Sequence, residues 1–257
     1  MIGRLVWLLA MLVGASLFPA GAEPVAEGVP DCRLSAETHI EHNFPLPRVA
    51  AAIANRHLNI LVVGAGSSQL PGTEGAKRAY PMRLQGALQQ KLPGVDVRVV
   101  TDVKPKRTAR EMMKSMAAAL AANKPSLVVW QTGTVDAMQG VESDQFSRSL
   151  DKGIGIARSA GADVIFMNPQ YSPRTESMIA LGTYAENMRW VALQQDIPLF
   201  ERFSIMKLWS DNGTFDLNSA TKKLDMAERV HDCIGRLMAD LVLESAKIGV
   251  PQKDSGR

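Results

Sequence analysis

The sequence predicts an α/β fold, a three-layer α/β/α sandwich built on a five-stranded parallel sheet. Two observations carry that expectation. Short apolar or alternating runs at residues 58–63, 95–100, 127–130, 164–167 and 197–200 recur between longer stretches with helical spacing. Strand and helix alternate regularly, and such units close into parallel sheets through right-handed crossovers, with helices on both faces. A third observation marks one edge of the sheet. The run Asn59-Ile60-Leu61-Val62-Val63 ends abruptly in Gly64-Ala65-Gly66-Ser67-Ser68, a tight turn with hydroxyls at its tip. Ligand clefts of open α/β sheets lie at the carboxyl ends of the strands. Later segments deliver Asp136, Asn168, Gln170 and Arg202 to that edge.

Each element has a local reason. Residues 48–56 are Ala-rich and predict one short helix before the first strand. Residues 69–79 form a loop around Pro71, Gly72 and Gly75. A helix over 80–91 opens on Tyr80-Pro81, because proline in a first turn gives up an N–H that lacks a helical partner anyway. Leu84, Leu88 and Leu92 share its inner face, and Pro93-Gly94 ends it. Val95, Val97, Val99 and Val100 make the second strand. Thr108, with Glu111 three residues on, has capping-box spacing and starts a helix to about residue 122. Residues 127–130 are wholly apolar and predict a central strand. A loop over 131–142 follows, then a helix over 143–160 stopped by Gly161. The fourth strand spans 164–167, a rigid polar loop 168–174, a helix 175–196 and a short fifth strand 197–200. A last helix over 219–247 carries Ala227, Val230, Ile234, Leu237 and Leu241 on one face. Five strands so connected imply the order 2-1-3-4-5.

A chain of 257 residues can bury one good core. Residues 1–22 read as a signal peptide: Arg4, an apolar run over 5–18, and Ala20-Gly21-Ala22 as the cleavage site. That run is short for a membrane span, so no stable span is expected after cleavage. Residues 23–57 then form an N-terminal arm with its short helix, 58–248 the main domain and 249–257 a frayed tail. The expected location is periplasmic or secreted. Removal of Arg4 with the leader leaves 28 basic against 26 acidic residues, too mild a balance to imply nucleic acid. Neither a metal nor another cofactor is expected. No His, Cys or Asp cluster has ligand spacing, and Gly64-Ala65-Gly66 lacks the third glycine of a dinucleotide loop. Export would place Cys32 and Cys233 in an oxidising compartment. There they are expected to pair as a disulfide, with two buried thiols as the alternative.

The strand-end serines and the segment Trp130-Gln131-Thr132-Gly133-Thr134 resemble the SGNH/GDSL hydrolase family, over roughly residues 58–241. The resemblance implies a serine esterase. It makes Ser67 the nucleophile, His231 the base, and Asp136 or Glu228 the carboxylate that orients it. Gly66, Gln131, Gly133, Asn168 and Gln170 would bind substrate or the oxyanion. The chain departs from the family pattern in each block. Aligning the family's first glycine on Gly64 puts Gly66 at the nucleophile position, one residue before Ser67. The loop over 101–107 has no glycine, Val135 replaces an asparagine, and Glu228-x-x-His231 stands on the final helix instead of before it. Two functions are therefore carried forward. One is hydrolysis of ester or acyl groups on an extracytoplasmic small molecule or glycan. The other is a catalytically degenerate protein that binds a glycan or acyl ligand, or serves as a structural envelope partner.

Overall fold

Five parallel strands make the sheet: β1 (His57–Gly64), β2 (Asp96–Val103), β3 (Leu127–Gln131), β4 (Asp163–Met167) and β5 (Leu199–Phe200), in the order β2-β1-β3-β4-β5. The computed structural model describes Cys32 and residues 44–218 and 224–248. The expected leader, nearly all of the arm before residue 44, and the tail lie outside the described residues, as does the expected first turn of the last helix. Ten helices are described. They are α1 (Pro47–Ala54), α2 (Gly75–Arg78), α3 (Tyr80–Lys91), α4 (Ala109–Asn123), α5 (Thr134–Met138), α6 (Ser143–Ser159), α7 (Pro173–Glu176), α8 (Leu181–Gln194), α9 (Arg202–Asp211) and α10 (Leu224–Ile248).

Side chains alternate across a strand, so a strand apolar at every position feeds two cores. Leu58, Ile60 and Val62 of β1 join Val129 of β3 in a core closed by Val49 of α1, Leu84 and Leu88 of α3, Trp209 of α9 and Ile234 of α10. Leu61, Val63, Val128 and Trp130 point to the other face. There they meet Met112 and Met116 of α4, Phe146 and Leu150 of α6, and Met188 of α8. Each large side chain so buried stabilises by about 1.5–3 kcal/mol. The predicted α4 start is present: Thr108 N–H donates to Glu111 Oε2 at 2.8 Å, and Glu111 N–H to Thr108 Oγ1 at 3.4 Å.

Besides the one-turn α2 inside the loop expected over 69–79, three elements differ from the sequence reading. The helix expected over 175–196 is divided into α7 and α8. The loop expected over 131–142 contains α5, which starts after Gly133 at φ 96°, a backbone region where a Cβ is strained. The third is α9, which starts one residue after Glu201 and was not anticipated. Its buried Arg202, Ile205, Met206 and Trp209 have helical i, i+3, i+4, i+7 spacing, but the stripe is short and opens on a charged residue. Cys32 and Cys233 form a disulfide 201 residues apart in sequence, which ties Cys32 to α10. In the chain-entropy picture, closing so long a loop is worth about 5 kcal/mol. Among the described residues, no helix is long and apolar enough to cross a membrane.

Candidate active site

The turn after β1 sends its two serines in opposite directions. Residues Gly66–Ser68 form one 3-10 turn, folded so tightly over the strand end that a Cβ on Gly64 would lie 2.3 Å from Ser68 Oγ. Ser68 is buried inward. Its hydroxyl donates to Gln131 Oε1 at 2.9 Å, so the contact of Tyr80 with Ser68 Oγ at 3.1 Å has the phenol as donor. Gln131 Oε1 also accepts from Ala65 N–H at 3.1 Å. This closed chain commits the Ser68 proton and removes Ser68 as a nucleophile. Burial holds the Tyr80 hydroxyl protonated, its pKa pushed up to about 12.

Ser67 is half-buried and meets Arg202. Arg202 Nη1 donates to Ser67 Oγ at 3.3 Å, and Nη2 donates to Ser67 O at 3.2 Å and to Gln170 Oε1 at 3.1 Å. The guanidinium is 1% exposed, and all three partners are neutral. Its Nε–H is buried with no partner among the described residues. Desolvation draws its pKa down to about 10, so it remains a cation at neutral pH. It also stands in the first turn of α9, where the helix dipole disfavours positive charge. A buried cation placed against both burial and dipole costs stability, and such costs collect at functional sites.

His231 is almost fully buried on α10 and takes part differently from the expectation. Its Nδ1 accepts the backbone N–H of Tyr80 at 2.9 Å. Nδ1 therefore has no proton, and the neutral ring carries its proton on Nε2. Burial, with the Arg202 and Arg83 charges, pushes its pKa down to about 3. The ring is thus a hydrogen-bond donor and not a base, which corrects the role expected for it. A folded pKa below the unfolded 6.5 means that the unfolded chain takes up a proton first on acidification. The stability carried by the neutral ring is complete above about pH 6.5 and is lost as pH falls toward 3. Urea unfolding should show a loss of about 2 kcal/mol between pH 7 and pH 5 from this group. His231→Gln keeps an acceptor but does not titrate, and should lose correspondingly less.

Arg202, Gln170 and His231 line a cleft of about 360 Å³ whose remaining wall is largely apolar, including Pro71, Tyr171, Met206, Leu217, Met226 and Val230. A larger groove of about 830 Å³ runs between α4 and α6, but Lys124 and Lys152 are its only charged lining residues. The strand-end cleft is where the chemistry lies.

Over residues 31–248 the chain matches the family described as the Non-GDSL lipase-like family. The chain belongs to that family. No curated protein matches it. Among solved structures, TesA superposes with a TM-score of 0.56 at 23% identity, covering 75% of this chain and 99% of that one. A catalytic mutant of Axe2, an acetylxylan esterase from Geobacillus stearothermophilus, gives 0.58 at 15% identity, covering 72% and 94%. LAE5, an alpha/beta hydrolase enzyme from the metagenome of Lake Arreo, gives 0.57 at 15%, covering 76% and 97%. These likenesses bear out the SGNH/GDSL fold and the strand order. An ester hydrolase of that type is consistent with the family and with these neighbours.

Within this Non-GDSL lipase-like chain, the remaining expected site residues have structural partners. Asp136 does not orient His231. Its carboxylate accepts Ala109 N–H at 3.0 Å and the Thr132 hydroxyl at 3.3 Å, holding the α4 N-terminus, where a negative charge is favoured. Burial raises its pKa. Glu228 does not reach His231 either; it pairs with Arg78 at 2.5 Å. Asn168 is wholly buried, donating to Glu201 Oε2 at 2.8 Å and accepting Phe203 N–H at 2.9 Å, so it braces α9 and is closed to substrate. Gly133 packs under Pro169, where an added Cβ would come within 2.9 Å of Pro169 Cγ. Gly66 opens the 3-10 turn. Gln131 spends its oxygen on the turn, and its Nε2 is buried without a partner among the described residues. In the loop after β2, Arg107 is consumed by Asp102 at 2.9 Å and by Gly64 O at 3.2 Å. Arg202 was placed at the strand-end edge but given no role, and Tyr80 was read only as a helix start. The position of Arg202 two residues after the fifth apolar run was the one visible signal.

Proposed function

We propose that the protein is an exported hydrolase of ester or acyl groups in which Ser67 is the nucleophile and Arg202, instead of a histidine, activates it. The observation that supports this is the Ser67 hydroxyl accepting from a buried guanidinium that has no carboxylate partner among the described residues. A guanidinium at that distance stabilises the serine alkoxide and the developing oxyanion. The Ser67 proton leaves to solvent hydroxide. The alkoxide then adds to the ester carbonyl, the bond to the leaving alcohol breaks, and that alcohol takes a proton from water. A second water hydrolyses the acyl-serine. His231 Nε2–H and Gln170 at the cleft wall hold the substrate. Lacking a base matched to neutral pH, turnover should run about 10²–10⁴-fold below that of a serine–histidine site. The apolar wall favours an acyl chain over a glycan. Export is supported by the leader-like sequence at residues 1–22 and by the Cys32–Cys233 disulfide.

Fluorophosphonate labelling of the mature protein, followed by peptide mapping, tests this. Label should fall on Ser67 and vanish in Ser67→Ala. Label on Ser68 would overturn Ser67 as the nucleophile, and no label on folded protein would remove the hydrolase assignment. Ligand binding without turnover is the alternative, favoured by the His231 tautomer, which withholds the base that a fast esterase needs.

A further inference from the structure

We infer that the strand-end cleft selects ligands in which an aliphatic chain ends in a carboxylate, so that it holds the free acid more tightly than a neutral compound of equal chain length. The inference rests on the cleft assigned above and deepens that assignment, but it does not require turnover. Its basis is a charge count around Arg202. The guanidinium is buried among neutral acceptors. Among the described residues, no carboxylate bonds to Arg202, and two on neighbouring elements are engaged elsewhere: Glu201 with Arg189 at 2.6 Å and with Asn168, and Glu228 with Arg78. Tyr80 stays protonated and His231 stays neutral at pH 7. Arg202 is therefore the one cation in the cleft lining, reinforced by the N-terminus of the ten-residue helix α9.

The neighbours of Arg202 have donors to spare, His231 in the cleft lining and Ser67 bonded to the guanidinium. His231 Nε2–H makes no hydrogen bond among the described residues, and Ser67 accepts from Arg202, which leaves its own proton free to donate. A carboxylate brings one negative charge and up to four acceptor lone pairs, matching one cation and these donors. A phosphate monoester would bring close to two charges and leave one unbalanced. The rest of the lining includes Met206, Leu217, Met226, Ala227 and Val230, which suits a chain of methylenes.

Titration calorimetry of the folded protein at pH 7.5 with octanoate, octan-1-ol and octyl phosphate decides the matter. Octanoate should bind at least tenfold more tightly than octan-1-ol, and more tightly than octyl phosphate. Arg202→Met should close the gap between acid and alcohol, while Ala227→Trp, which fills the cleft, should weaken both. Equal or tighter binding of the alcohol, tighter binding of the phosphate, or no octanoate binding would each overturn the inference. So would a gap that persists in Arg202→Met. The wild-type comparison stands even if that variant fails to fold. Octanoate selectivity without label on Ser67 would keep this inference and remove the hydrolase assignment; label without selectivity would do the reverse.

Discussion

Replacement of Arg202 by methionine should leave the fold at least about as stable as the parent while lowering the reactivity of Ser67 by about 10²-fold or more. The two halves of that expectation have separate causes. Arg202 is desolvated, has only neutral partners and sits at a helix N-terminus. Apolar replacement of a buried ionic group of similar volume is often neutral or stabilising by about 1–4 kcal/mol. Against this, Ser67 O and Gln170 Oε1 lose a donor, at about 1 kcal/mol each, a loss that water can partly make good at the cleft wall. Reactivity has no such offset, since no other cation among the described residues bonds to Ser67. Urea unfolding and fluorophosphonate labelling rates on the same preparation separate stability from reactivity. A loss of more than about 3 kcal/mol would mark Arg202 as a structural residue.

Gly235→Leu should be the most damaging single change on α10, costing about 3 kcal/mol. A Cβ built on Gly235 lies 2.5 Å from Arg83 Cβ, 2.8 Å from Leu84 N and 2.9 Å from Arg83 C, so it meets the backbone of α3 and not a side chain that could swing away. The helices would have to part. Their contact also sets His231 beside the Tyr80 N–H at 2.9 Å, so the cleft wall would move with them. Gly86 is the control. It lies on α3, and nothing comes within 4 Å of its added Cβ, so Gly86→Ala should stabilise by about 0.5–1 kcal/mol through helix propensity. Opposite shifts in Tm for the two variants would support this packing. A Gly235→Leu protein with parental Tm would refute it.

The sheet was legible in the sequence because its strands are buried on both faces. Runs such as Leu127-Val128-Val129-Trp130 carry a signal that needs no tertiary context. The site was legible only as a location. Asp136, Asn168, Gln170 and Arg202 were all placed at the strand ends, but which of them serve ligand and which brace the fold depends on neighbours distant in sequence. Glu228 and His231 show the reason. Residues three apart on a helix lie near one face but are rotated by about 60°, enough for one to find Arg78 and the other the Tyr80 N–H. Ser67 and Ser68 are equivalent in composition, and only the 3-10 turn decides that one faces Arg202 and the other the core. The value of Arg202 lies in what it lacks among the described residues, a carboxylate partner, and pattern reading along the chain does not reveal that.

The pH dependence of fluorophosphonate labelling at Ser67 tests the serine–arginine pairing most directly. With hydroxide as the base, the rate should rise about tenfold per pH unit from 7 to 9, with no inflection near 6.5, and level off only as Arg202 loses its charge through a pKa of about 10. A rate that levels off above pH 7 after an inflection near 6.5 would contradict this and return the proton to a histidine.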